Sequence, residues 1–157
     1  MLRLTSALAA QARGDTAEAE AQTAEAARLA EQLGERPDAW KYFGPANVGV
    51  WHALLAVEAG EPGRALEHAA AVDVSSLKRP RHAQLLLEVA RAHHQLGRGH
   101  DRQVVASIRQ AERTAATLTH GSVWVKEMVE TLLDRSRREA GGRELRGMAY
   151  RMGLDAN

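Results

Sequence analysis

The side chains here that could do chemistry are seven histidines, an arginine-rich C-terminal segment, and single Asn, Gln, Glu and Arg residues set into helical patterns. His93 and His94, taken with His52, raise the question of a metal ion. Adjacent residues on a helix point about 100° apart and do not share one ion easily. Neither a His-x-x-x-His pair nor a supporting Glu motif is present, so no metal is expected. His52 and His93 read instead as packed, hydrogen-bonded core residues. The chain has no cysteine, which excludes disulfides, thiol catalysis and thiolate metal sites. It also lacks Gly-x-Ser-x-Gly, a phosphate-cradling glycine loop and a recognisable carboxylate pair. Gly97-Arg98-Gly99 is a turn. The expectation is a protein that is not an enzyme and uses no cofactor.

What remains is chemistry of recognition. Helical register places Asn47, Val50, Leu54, Val57 and Glu58 on the inner surface of one helix, with Trp51 beside them. The same register places Gln84, Leu87, Arg91, His94 and Gln95 on the inner surface of the next. An apolar floor with Asn47, Gln84, Arg91 and His94 as directional donors suits a peptide, a protein segment or a small acidic ligand. Arg91 is the leading candidate, because a guanidinium grips a carboxylate through two hydrogen bonds. The plainer reading is that Arg91 pairs with a neighbouring acid such as Glu88 or is solvated. Trp40, Tyr42, Phe43 and Trp51 could wall a pocket, but such a cluster more often seals a loop onto a core. Arg135, Arg137, Arg138, Arg143, Arg146 and Arg151 could touch phosphates or an acidic surface. Without interleaved aromatics other than Tyr150, they read better as the solvated face of a terminal helix.

These residues must be positioned by helices. Apolar residues make up 45% of the 157 and aromatics only 4%, so Ala, Leu and Val carry the packing. That suits close helix–helix contact and suits a sheet core poorly. A helix over 2–13, with Leu2, Leu4, Leu8 and Ala12 among its apolar positions, breaks at Gly14-Asp15. The next runs from Thr16 to Leu33 with Ala19, Ala26, Ala30 and Leu33 on one stripe. Glu35 to Pro45 is the longest break. Helices over 46–59 and 62–73 flank Gly60, a residue suited to a left-handed helix end, and Pro62, suited to a first turn. Val74 to Arg79 connects to a helix opened by Pro80, with Leu86, Val89, Ala90, His93 and Leu96 or Gly97 on its buried side. Asp101 is expected to cap a helix carrying Val104, Val105, Ile108, Ala111 and Ala115. Thr117 to Ser122 reads as loop. Val123 to Arg138 is helical with Met128, Val129, Leu132 and Leu133 inward, and a last helix runs from Arg143 to Met152.

The turn glycines Gly14, Gly60 and Gly97 lie 46 and 37 residues apart. A small residue follows the first two by five positions, at Ala19 and Ala65; after Gly97 the candidates are Val104 and Ala106, which implies a short insertion. Such spacing approaches the roughly 34 residues of a tetratricopeptide unit with loop insertions. The fold class expected is all-α: one domain over 1–157, a tetratricopeptide-like solenoid of antiparallel helical hairpins at about 2–33, 46–73, 80–116 and 122–152.

Net charge is +1, unevenly spread: residues 1–75 hold 11 acids against 6 bases, and residues 76–157 hold 9 against 15. A basic second half permits an acidic partner without demanding one. No stretch approaches the roughly 18 apolar residues of a membrane span, and the opening MLRLTSALAAQARGD has too short and interrupted an apolar run for a signal peptide. The expected location is the cytoplasm, with no membrane partner.

FGPANV at 43–48, Gly60-Glu61-Pro62, LLLEVARAHHQLGR at 85–98, QAERTA at 110–115 and ELRGMAYRMGL at 144–154 together resemble a known family. They are similar to the C-terminal tetratricopeptide-like regions of helix-turn-helix (XRE-type) transcriptional regulators from high-GC Gram-positive bacteria. The resemblance covers most of residues 40–154 and implies a regulatory, ligand-sensing or oligomerisation module. DNA would be contacted only through a domain absent from this chain. The alternatives are a stand-alone scaffold for a protein partner and an unusual helical enzyme. An unfinished solenoid leaves apolar end faces, here residues 1–13 and 123–138, so a homodimer is expected.

Overall fold

Two turns of the same sequence type fold in the same way. Gly14 (φ 77°) and Gly60 (φ 72°) both adopt the left-handed conformation. At the first, the Gly14 N–H donates to the Gln11 carbonyl and the Asp15 N–H to that of Ala10, each at 3.0 Å. At the second, Gly60 donates to Val57 and Glu61 to Ala56 at 3.0 and 2.9 Å. This pair of bonds closes a helix end and lets the next helix start at once. Asp15 then caps that helix through the Glu18 N–H at 3.1 Å, while Pro62 occupies the other's first turn. Five residues on, Ala19 and Ala65 are buried where the helices cross.

The computed structural model describes residues 1–35, 43–137 and 142–154. Among them are nine α-helices and no strand: α1 (Leu2–Ala12), α2 (Thr16–Leu33), α3 (Pro45–Glu58), α4 (Pro62–Ala70), α5 (Arg79–Gln95), α6 (Asp101–Thr114), α7 (Ala116–Gly121), α8 (Val123–Arg137) and α9 (Arg143–Arg151). Helices α1 and α2, α3 and α4, and α5 and α6 pack as consecutive pairs; α3 and α4 both lie against α5. Hydrogen bonds fix the direction of alternate helices. Asn47 and Arg81 meet at the starts of α3 and α5, and Val57 and Gln95 meet near their ends, so the two run parallel. Helices α6 and α9 are likewise parallel, tied by Arg109–Glu144 and by Glu112–Arg151.

The core is uneven. Its largest apolar cluster joins α5, α6, α8 and α9 through residues such as Leu87, Ile108, Val129 and Met148, all fully buried. Toward the N-terminus are three smaller clusters: Leu4, Ala26, Ala30 and Val48; Ala56, Val57, Ala65 and Ala92; and Val50, Ala53 and Leu85. Gly49 on α3 marks one close approach, since a Cβ there would stand 2.6 Å from Val72 Cγ2.

Several expectations from the sequence need correction. Residues 116–121 form helix α7 rather than a loop. Its polar sequence hides any apolar period, yet Thr119 is buried and its hydroxyl donates to the Ala115 carbonyl at 3.0 Å. Asp101 does not cap α6 but begins it, and its carboxylate accepts from Arg135 Nη1 at 2.9 Å. Helix α4 stops at Ala70, after which Asp73 accepts from the Ser75 N–H and the hydroxyls of Ser75 and Ser76 to fold the tight turn Val74–Ser76. The insertion after Gly97 is the short turn Arg98–His100, and Val104 rather than exposed Ala106 takes the buried small-residue place. Leu2, Leu33 and Leu96 are exposed; α1 buries Leu4, Ala7 and Ala10 instead. Helix α5 is gripped on two sides, so it buries Ala83, Leu85, Leu87, Glu88, Ala90 and Ala92 rather than a single stripe through Val89 and His93. Trp40, Tyr42 and Arg138 fall outside the described residues. No helix of the described residues is long and apolar enough to cross a membrane.

Candidate binding face on α3, α5 and α8

Asn47, Trp51, Leu54 and Glu58 recur at intervals of three and four along α3 and therefore share a face. Arg81, Gln84, Glu88, Arg91 and Gln95 do the same along α5. Because the helices are parallel and adjacent, the two rows meet in register. Arg81 Nε donates to Asn47 Oδ1 at 2.6 Å, and its Nη1 donates to Gln84 Oε1 at 2.5 Å. Further along, Arg91 Nη2 donates to Glu58 Oε1 at 2.6 Å and Nη1 to Glu88 Oε2 at 3.0 Å. Gln95 Nε2 closes the row on the Val57 carbonyl at 2.9 Å.

Each arginine also faces an indole. The Arg81 guanidinium lies 5.5 Å from the Trp51 ring centre, and that of Arg91 lies 5.3 Å from the Trp124 ring on α8. Both are within reach of a cation–π attraction. Glu58, Arg91 and Trp124 thus form a line across three helices, with 33 residues between successive members.

Burial sets the electrostatics. Glu88 is 2% exposed and Asn47 3%. Burial raises the Glu88 carboxyl above its ordinary value, with the Arg91 charge and hydrogen bond pulling the other way. Burial also lowers Arg81 to about 10, opposed by Glu88, so it stays charged at neutral pH. For Arg91, burial works to lower the pKa, but its bonds to Glu58 and Glu88 carry it above the ordinary value. Two arginines and two glutamates leave this face neutral.

Of the residues picked from the sequence, Asn47, Trp51, Glu58, Gln84, Arg91 and Gln95 belong to this connected row, and Leu54 is half-buried on the same stripe. Val50, Val57 and Leu87 do not line it; each is 1% exposed and faces the interior. His94 stands apart, near Arg135 and Asp101, and its Nδ1 is buried without a hydrogen-bond partner. Sequence reasoning missed Arg81 and Trp124; it named Glu88 as a pairing partner for Arg91, and that pair is present. The signal was available: Arg81 follows Asn47 by 34 residues, close to the spacing that separates Glu58, Arg91 and Trp124.

Comparison with protein-family models, curated proteins and solved structures gives no match.

The remaining candidates fall elsewhere. His52 is not a hydrogen-bonded core residue: its ring lies 5.0 Å from that of His68, in an open cavity of about 400 Å³ between α2, α3 and α4. His93 stacks on His100 at 5.4 Å with its Nδ1 unpartnered. Among the described residues no group of three metal-ligating side chains comes together. Phe43 and Trp51 both pack on the cluster around Leu4 and Val48. In the arginine-rich segment, Arg151 makes two 2.8 Å bonds to Glu112, and Arg135 pairs with Asp101.

Proposed function

We propose that this chain is a non-catalytic interaction domain, a tetratricopeptide-like stack of helical hairpins that receives a protein or peptide segment along α3, α5 and α8. The observation that carries the reading is the line Glu58–Arg91–Trp124, one member from each of three helices at a constant interval. Trp and Arg are the side chains that dominate binding energy at protein interfaces. Here their rotamers are held by neighbours, which reduces the ordering cost of binding. Both terminal nitrogens of Arg91 already hold carboxylates, so an acidic ligand would have to displace Glu58 or Glu88. A neutral face with indole plates suits a peptide of mixed polarity better than a small acid.

In the regulator setting that the sequence resembles, occupancy of this face would alter the stacking of the hairpins, and so the spacing of DNA-binding domains in a homodimer. The test is an immobilised peptide library probed with the wild type and with Trp124→Ala and Arg91→Ala. Peptides retained by the wild type and by Glu31→Ala, an exposed control on α2 away from this face, but lost by both face variants, would support the reading. Retention unchanged in both variants would refute it.

A further inference from the structure

The face above leaves unused a basic concavity, a cavity of about 670 Å³ bounded by α6, α8 and α9. That volume lies within the range of small-molecule sites. Among the described residues Arg102, Arg109, Arg135 and Arg143 line it, against the acids Asp101 and Glu144, so the described lining is positively charged. Two of the arginines are partly engaged, each through a single nitrogen: Arg109 Nη1 on Glu144 at 2.6 Å and Arg135 Nη1 on Asp101 at 2.9 Å. Their other N–H groups remain available to a ligand. Arg102 and Arg143 are exposed and make no ion pair among the described residues. The first turn of α9 also borders the cavity; Gly142 supplies no side-chain cap, so its N–H groups add to the positive field. Val105, Leu132 and Leu145 give the cavity an apolar side.

We infer that this cavity is a binding site for a small organic phosphate. A dianion matches the positive surplus of the described lining, and guanidinium forks match phosphate oxygens. The apolar side receives the hydrocarbon or ring part of the same molecule. A nucleic acid fits less well, because the arginines converge on one concavity rather than tracking a strand, and Tyr150, the one aromatic of this segment, is not among the lining residues.

The test uses phenyl phosphate, inorganic phosphate and phenol as probes, titrated calorimetrically at fixed ionic strength. The expected result is saturable binding of phenyl phosphate, tighter than of inorganic phosphate, with phenol bound weakest. The double variant Arg102→Gln, Arg143→Gln should lose at least about tenfold in affinity, a loss proportionate to removing two charge-assisted contacts. Neither side chain supports the fold through an ion pair, so the variant should melt as the wild type does. Arg113→Gln, an exposed residue outside the cavity that carries the same charge change, should keep full affinity. Absence of saturable binding, equal binding of phenyl and inorganic phosphate, or an equal loss in Arg113→Gln would each overturn the assignment.

Discussion

Between α3 and α5 the side chains that cross from one helix to the other are Asn47, Arg81, Glu58, Arg91 and Gln95. Among α5, α6, α8 and α9 they are Leu87, Val104, Ile108, Val129, Leu132 and Met148. The first seam is polar, with small apolar clusters of Ala and Val behind it; the second is a continuous hydrocarbon core. Apolar burial is non-directional, so the C-terminal core gains most of its stability from area and close packing. The polar seam gains less, because desolvating Glu88 and Arg81 offsets much of their attraction. Its bonds are directional, however, and hold two helices in one register.

The largest expected effect tests the hydrocarbon side. Ile108→Ala should cost about 4 kcal/mol in denaturant unfolding, whereas Leu85→Ala, in a cluster with fewer apolar partners, should cost about 2–3 kcal/mol. Equal losses would erase the distinction between the regions. At the seam, Arg91→Ala should cost about 2–3 kcal/mol, since it strands the buried Glu88 carboxylate while Arg91 itself is 25% exposed. Replacing both partners, Glu88→Leu with Arg91→Met, should return most of that loss. If the double replacement is as damaging as the single one, the seam contributes stability and not merely register.

Gly49→Ala probes how closely the polar half is packed. Helix propensity alone favours Ala by about 1 kcal/mol, but the new methyl would run into Val72, so the net should be a loss of about 1 kcal/mol by thermal melting. The smallest effect is on pH dependence. Burial holds His52 and His68 below their ordinary value of 6.5; for His52 the facing His68 and Arg64 add to this, and for His68 Arg64 adds while Glu67 and Glu61 oppose. The unfolded chain therefore binds these protons first. Their contribution is complete above about pH 6.5 and declines as the pH falls below it. Melting temperature should drop on acidification through this window, and the drop should shrink in His52→Gln.

The helical pairs were legible in the sequence because their signals are local. Gly14 and Gly60 mark turns that need a left-handed residue, and Met128, Val129, Leu132 and Leu133 lie on one helical face. Helix α7 was not legible, since ATLTHG has no apolar period and is held by Thr119 burial and the His120–Glu112 contact at 2.8 Å. The candidate face was half legible. Helical register on single helices picked out Asn47, Glu58 and Arg91, and the Glu88 partner of Arg91, but not that Arg81 would hold Asn47 or that Arg91 would also hold Glu58. Arg81 and Trp124 become visible only when one helix is laid on another at an offset of 33 or 34 residues. His52 was misjudged because its helical position does not reveal that α2 and α4 leave a cavity over it.

That constant offset also bears on how the chain folds. The side-chain ties of α3 to α5, and of α6 to α8 and α9, join residues 33 to 39 apart. Closing such loops costs little entropy, so each hairpin can form locally and the next can condense on it. The hydrocarbon-rich C-terminal half, with the largest apolar cluster, is the expected nucleus, and the alanine-rich start is expected to join it later. Amide protons of α1 and α2 should therefore exchange with solvent well before those of α6 and α8.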